Sequence, residues 1–85
     1  MLERYAIAEQ LGENSPQAVA LIGRILRTLG SDATQQFVAE AQRLDETGGL
    51  LTEDGSRKRT LGGTFFYLVK EHLRAQGNAE ALQQL

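Results

Sequence analysis

Residues 14–49, NSPQAVALIGRILRTLGSDATQQFVAEAQRLDETGG, decide the fold. Asn14 or Ser15 offers a side-chain oxygen as a helix cap. Pro16 follows at the first helical position, where its missing N–H costs nothing. Val19, Ile22, Leu26 and Leu29 then mark a buried stripe, widened by Ala18 and Ile25. Gly30 stops that helix, and Ser31 or Asp32 caps another. Its Ala33, Phe37, Val38, Ala41 and Leu44 share one face. The pair Gly48-Gly49 cannot continue a helix cheaply and ends it. Two amphipathic helices joined by a tight turn, with no alternating strand pattern, predict an all-α fold.

The flanks extend this pattern. Upstream, Leu2, Tyr5, Ala6, Ala8 and Leu11 recur at helical spacing, and Gly12 closes the segment. Downstream, Thr60 is a plausible cap for a helix with Gly62 and Gly63 in its first turn. That helix has Phe65, Phe66, Val69, His72 and Leu73 as its inward face. Gly77 and Asn78 break it, and Ala79 to Leu85 add a short final helix. From Gly48 to Gly63 the helical period vanishes. There Leu50-Leu51-Thr52 and Lys58-Arg59-Thr60 flank Glu53-Asp54-Gly55-Ser56. The stretch reads as an irregular loop or a very short hairpin over 50–60 with Asp-Gly at its tip. The expectation is a compact four- to five-helix domain spanning 1–85, with an irregular Gly-rich basic loop.

At 85 residues there is no room for two cores. A hydrophobic content of 41% and a charged content of 24% fit an ordinary soluble domain. Cysteine is absent, which excludes disulfides and thiolate metal sites. No apolar run is long enough for a bilayer, and the charges in MLERYAIAEQ are wrong for a signal peptide. The expected location is cytoplasmic, or nucleocytoplasmic in a eukaryote, with no membrane partner.

Charge is distributed unevenly. Residues 57–74 carry five cations (Arg57, Lys58, Arg59, Lys70, Arg74) against Glu71, a net +4. Residues 1–56 carry four arginines against nine acids, a net −5, and Glu80 completes the total of −2. Three consecutive cations therefore lead through Thr60 into a double glycine and an aromatic-rich helix. Cations at phosphate spacing and glycines that expose backbone N–H groups suit a nucleic-acid backbone, as does a helix N-terminus. Behind the glycines, Tyr67, Lys70 and Arg74 recur at i, i+3, i+7. This aromatic–cationic stripe could stack a splayed base and hold phosphates. Arg24 and Arg27, a turn apart on the second helix, are candidates to extend the surface. The predicted RNA-contacting set is thus Arg57, Lys58, Arg59, Thr60, Gly62, Gly63, Tyr67, Lys70 and Arg74, with Arg24 and Arg27 added. The bland alternative is a solvated charge run with turn glycines.

Catalysis finds little support. His72 is the sole histidine and lies on an inward helix face, so no His/Cys metal site exists. Asp45, Glu46, Glu53 and Asp54 lack a cation-ligand pattern, and Gly55, Ser56 and Lys58 do not form a nucleotide phosphate loop. No enzyme activity, cofactor or metal is expected. Two other binding classes remain: a protein-interaction domain using its acidic helices, and a helix-turn-helix DNA regulator. The second is disfavoured, because the would-be recognition helix, 32–46, holds four acids against Arg43 alone.

With these residues in view, the chain resembles the RNA-binding domain family of the phosphorylated adaptor for RNA export, over roughly residues 5–75. The resemblance is densest in GGLL (Gly48 to Leu51) and DGSRKRTLGG (Asp54 to Gly63), then Phe65 and Leu68. LIGRILRTLG (Leu21 to Gly30) matches the family's second-helix pattern. Leu61 stands where the family usually has a proline. The resemblance implies a small all-helical domain that binds single-stranded RNA with modest sequence preference. It implies no export-adaptor role by itself, since no export signal or acidic phosphorylation tract stands in these residues. A free-standing module is the expected form.

Overall fold

Ser15 and Pro16 start their helix as the sequence requires: the Ala18 N–H donates to Ser15 Oγ at 3.1 Å, with proline in the first turn. In the computed structural model, which describes residues 2–85, five helices follow in order. They are α1 (Glu3–Leu11), α2 (Pro16–Leu29), α3 (Ser31–Glu46), α4 (Leu61–Ala75) and α5 (Ala79–Gln83). Among the described residues there is no β-strand, and the fold is all-α. Thr60 caps α4 by accepting the Gly63 N–H at 3.0 Å, and Asn78 caps α5 by accepting that of Ala81 at 3.1 Å.

One apolar cluster binds the first four helices. Ile7, Ala8 and Leu11 of α1 meet Ile22 and Ile25 of α2, Val38 and Ala41 of α3, and Phe65, Val69 and Leu73 of α4. Leu82 and Leu85 pack against its edge. Helix α4 lies mainly along α3, and α1 along α2. Phe65, Val69 and Leu73 repeat every four residues, so burying them turns Tyr67, Lys70 and Arg74 away from the core. His72 is half-buried and meets Phe37 edge to face at 5.1 Å, a packing role.

Two local expectations are corrected. The stripe expected on α1 was Leu2, Tyr5, Ala6, Ala8 and Leu11, yet Leu2 is 79% and Tyr5 53% exposed. Apolar residues lie all round this short helix, and the core takes the face carrying Ile7 instead. At α3 neither Ser31 nor Asp32 caps the helix. Gly30, at φ 85°, turns the chain so sharply that Ser31 is already helical. Its hydroxyl donates to Glu3 Oε2 at 2.5 Å, and Gln35 Nε2 donates to the same oxygen at 3.2 Å. These bonds tie the start of α1 to α3, and the Ser31 bond above all holds the Glu3 carboxyl below its usual pKa.

Candidate nucleic-acid interface

The segment between α3 and α4 is an ordered loop. Leu51 and Lys58 form one isolated antiparallel bridge. The Thr52 N–H donates to the Arg57 carbonyl at 2.9 Å, and the Arg59 N–H to that of Leu50 at 2.6 Å. Inside the turn, Asp54 Oδ1 accepts three bonds: from the Ser56 N–H (3.0 Å), the Thr52 hydroxyl (2.7 Å) and the Ser56 hydroxyl (2.8 Å). Those donors stabilise the carboxylate and lower its pKa to about 2.

The loop and the outer face of α4 enclose an open cleft of about 1150 Å³. The three consecutive cations do not all reach the cleft. Lys58 folds back to Asp45 of α3, its ammonium 3.1 Å from the carboxylate and 3.3 Å from the backbone carbonyl. The stem of Lys58 crosses Gly49, where any Cβ would overlap it. Arg59 stays in the cleft. Its Nε donates to the Leu51 carbonyl at 3.0 Å, and its guanidinium lies 4.6 Å from the centre of the Tyr67 ring. Arg57 is exposed, lines the cleft and makes no ion pair among the described residues.

Tyr67, Lys70 and Arg74 all line the cleft, as their spacing predicts, and Arg74 pairs with Glu71. Two participants escaped the sequence reading. Phe66, expected in the core, is only half-buried and lines the cleft, while Leu51 is 62% exposed at its rim. The run Phe65-Phe66-Tyr67 held a signal for the first, since consecutive helical residues cannot all face inward. Leu51 left no such mark.

The double glycine divides its work. Gly63 lines the cleft, but its N–H is already given to Thr60 Oγ1, so the expected open donor at this position is corrected. Gly62 is buried, and a Cβ there would collide with the Glu13 carboxylate. Its role is to admit that side chain to the start of α4, so Gly62, like Thr60, is not a cleft-lining residue. Arg24 and Arg27, the candidates to extend the surface, do not line the cleft either.

Arg57, Arg59, Lys70 and Arg74 face Glu53, Asp54 and Glu71 around the cleft, an excess of one positive charge. Charge alone gives the cleft only a slight positive bias; the Arg59 guanidinium over the Tyr67 ring, beside Phe66, distinguishes it. The sequence profile of the phosphorylated adapter RNA export protein RNA-binding domain matches residues 4–83. The chain belongs to this family of RNA-binding domains. It is 35% identical over 80 residues to the mouse phosphorylated adapter RNA export protein, an alignment covering 79% of this chain and 20% of that protein. The human protein is 38% identical over 50 residues, covering 59% and 13% of the two chains, and the chicken protein 30% over 80 residues, covering 79% and 19%. The chain thus spans about a fifth or less of the curated relatives it matches. No solved structure matches it. The family's name is that of an adapter, not an enzyme. No described helix is long and apolar enough to cross a membrane.

Proposed function

We propose that the chain acts as one non-catalytic domain that binds single-stranded RNA in the cleft between the 50–60 loop and α4. The observation that carries this reading is the Arg59 guanidinium lying over Tyr67, fixed by the Leu51 carbonyl and flanked by Arg57 and Lys70. A splayed base stacks on an aromatic or on a guanidinium plane. Because Arg59 already covers one face of Tyr67, the platform is the Arg59–Tyr67 pair, with Phe66 extending its apolar floor. Arg57 and Lys70 meet the flanking phosphates, and Arg74 joins them by exchanging Glu71 for a phosphate oxygen. Gly63 keeps the cleft wall free of a side chain; Thr60, Gly62 and Lys58 hold the frame.

The cleft offers one stacking pair and a few cations, which suits a few unpaired nucleotides. Duplex RNA presents phosphates and 2′-hydroxyls across a shallow minor groove and keeps its base faces hidden. Family membership supports RNA as the ligand. The deciding experiment compares a single-stranded oligoribonucleotide with the same sequence in a perfect duplex. The single strand is expected to bind more tightly. Equal affinity, with no loss in Tyr67→Ala, leaves only a non-specific electrostatic patch and ends this reading.

A further inference from the structure

Arg4 and Arg27 sit apart from the cleft, and both reach over Gly23 in the middle of α2. A Cβ on that glycine would stand 3.1 Å from Arg4 Nη1, 3.2 Å from Arg4 Cδ and 4.0 Å from Arg27 Nη1. Two guanidinium groups thus lean over the same point of backbone, and among the described residues neither makes an ion pair. The Arg4 Nε is buried and has no hydrogen-bond partner in the protein. The Tyr5 ring lies beside that guanidinium, 5.4 Å away. Glu3 Oε2 is taken by Ser31 and Gln35, and Glu9 and Glu13 lie with Arg4 around a separate hollow without pairing with it. Glu3, Arg4, Gly23, Leu26 and Arg27 line a hollow of about 260 Å³ that shares no residue with the cleft.

Converging like charges repel unless an anion lies between them. We infer that this hollow is a second binding site, for a phosphate group held between the forks of Arg4 and Arg27. Two guanidinium planes match the spread of phosphate oxygens, and the bare backbone of Gly23 lets Arg4 reach across α2. The bound chemistry is a phosphate oxyanion, whether inorganic phosphate or a diester of an RNA backbone. The RNA source rests on the reading of the cleft; the anion site does not.

The test observes the guanidinium N–H signals of the whole chain by proton–nitrogen NMR. Inorganic phosphate and a single-stranded oligouridylate are titrated separately against a chloride control of equal ionic strength. Saturable movement of the Arg4 and Arg27 signals in either arm supports the site. Movement with RNA assigns the backbone as a source, and movement with phosphate alone assigns the free anion. Arg27→Gln, an exposed change, should weaken the response of Arg4 about tenfold. Gly23→Ala, which crowds Arg4, should weaken it while leaving the Arg57 and Arg59 signals as they were. Those two signals report the cleft in the same spectra, so its failure is not mistaken for failure here. Responses indistinguishable from chloride in both arms overturn the proposal.

Discussion

The 50–60 loop and the α1–α2 flank both concentrate arginine, but they arrange it in opposite ways. In the loop, two of three adjacent cations are held by the protein: Lys58 by Asp45, Arg59 by the Leu51 carbonyl and the Tyr67 ring. In the flank, Arg4 and Arg27 come from different helices and reach over one glycine, with no ion pair to either among the described residues. Adjacency in sequence therefore marks where charge is rich, not which charges are free. A cation already seated on an acid contributes to loop order, and one seated on an aromatic contributes a surface for stacking. Only the remainder is available to a phosphate at no cost in broken contacts.

Replacing Arg57, Lys58 and Arg59 together by alanine tests this division most severely. RNA affinity should fall by about 3 kcal/mol, since the Arg57 phosphate contact and the Arg59 half of the stacking pair are both lost. The dependence of log affinity on log salt should weaken by about 0.7, the value for one phosphate contact on a single strand, since Arg57 alone of the three meets a phosphate. A change of about 1.4 or more would mean that Lys58 or Arg59 also reaches a phosphate and would break the contrast. Helical circular dichroism should stay unchanged, because no side chain of the triplet enters the core.

Tyr67→Ala comes next, with an expected loss of about 2 kcal/mol in RNA affinity. Stacking releases no counterions, so the loss should be nearly independent of salt, whereas Lys70→Ala should lower the salt slope itself. In a double-mutant cycle with Arg59→Ala, the two changes should couple by about 0.5–1 kcal/mol. Strict additivity would separate the ring from the guanidinium and leave each to bind alone. On stability, Gly49→Ala should cost about 1–2 kcal/mol by urea denaturation, since φ is 77° there and the methyl meets Lys58. Lys58→Ala, which breaks a half-exposed ion pair, should cost no more than about 1 kcal/mol and leave the salt slope intact.

Helices α2 and α4 were legible because their caps are local: Ser15 with Pro16, and Thr60 three residues ahead of Gly63. The cleft face of α4 was legible for the same reason, since Tyr67, Lys70 and Arg74 are placed by period alone. What escaped depends on partners distant in the chain. Lys58 turns away because Asp45 lies at the end of α3, and Gly62 is needed because Glu13 arrives from the α1–α2 turn. The exposure of Tyr5 follows from which side of α1 the other three helices cover. Such facts belong to packing, and periodicity does not encode them.

The smallest expected effect concerns Asp54, which contacts neither of the arginine clusters but shapes the turn that carries Arg57. Its pKa is lowered to about 2 by the Ser56 N–H and the two hydroxyls. The unfolded value is near 3.9. A depressed carboxylate contributes order that is fully present above the unfolded pKa and is lost as pH falls through the folded one. The loop should therefore hold its geometry at neutral pH and loosen between about pH 4 and pH 2. The Gly55 and Ser56 amide signals would report this, moving along a titration with a midpoint near 2. Asp54→Asn keeps the shape but not the charge, and should reproduce the loosened signals at neutral pH with a small loss of RNA affinity. If those amides instead titrate near pH 4, the three bonds are not formed in solution. Arg57 would then be presented by a mobile loop, and the loop would lose the order that sets it against the open flank.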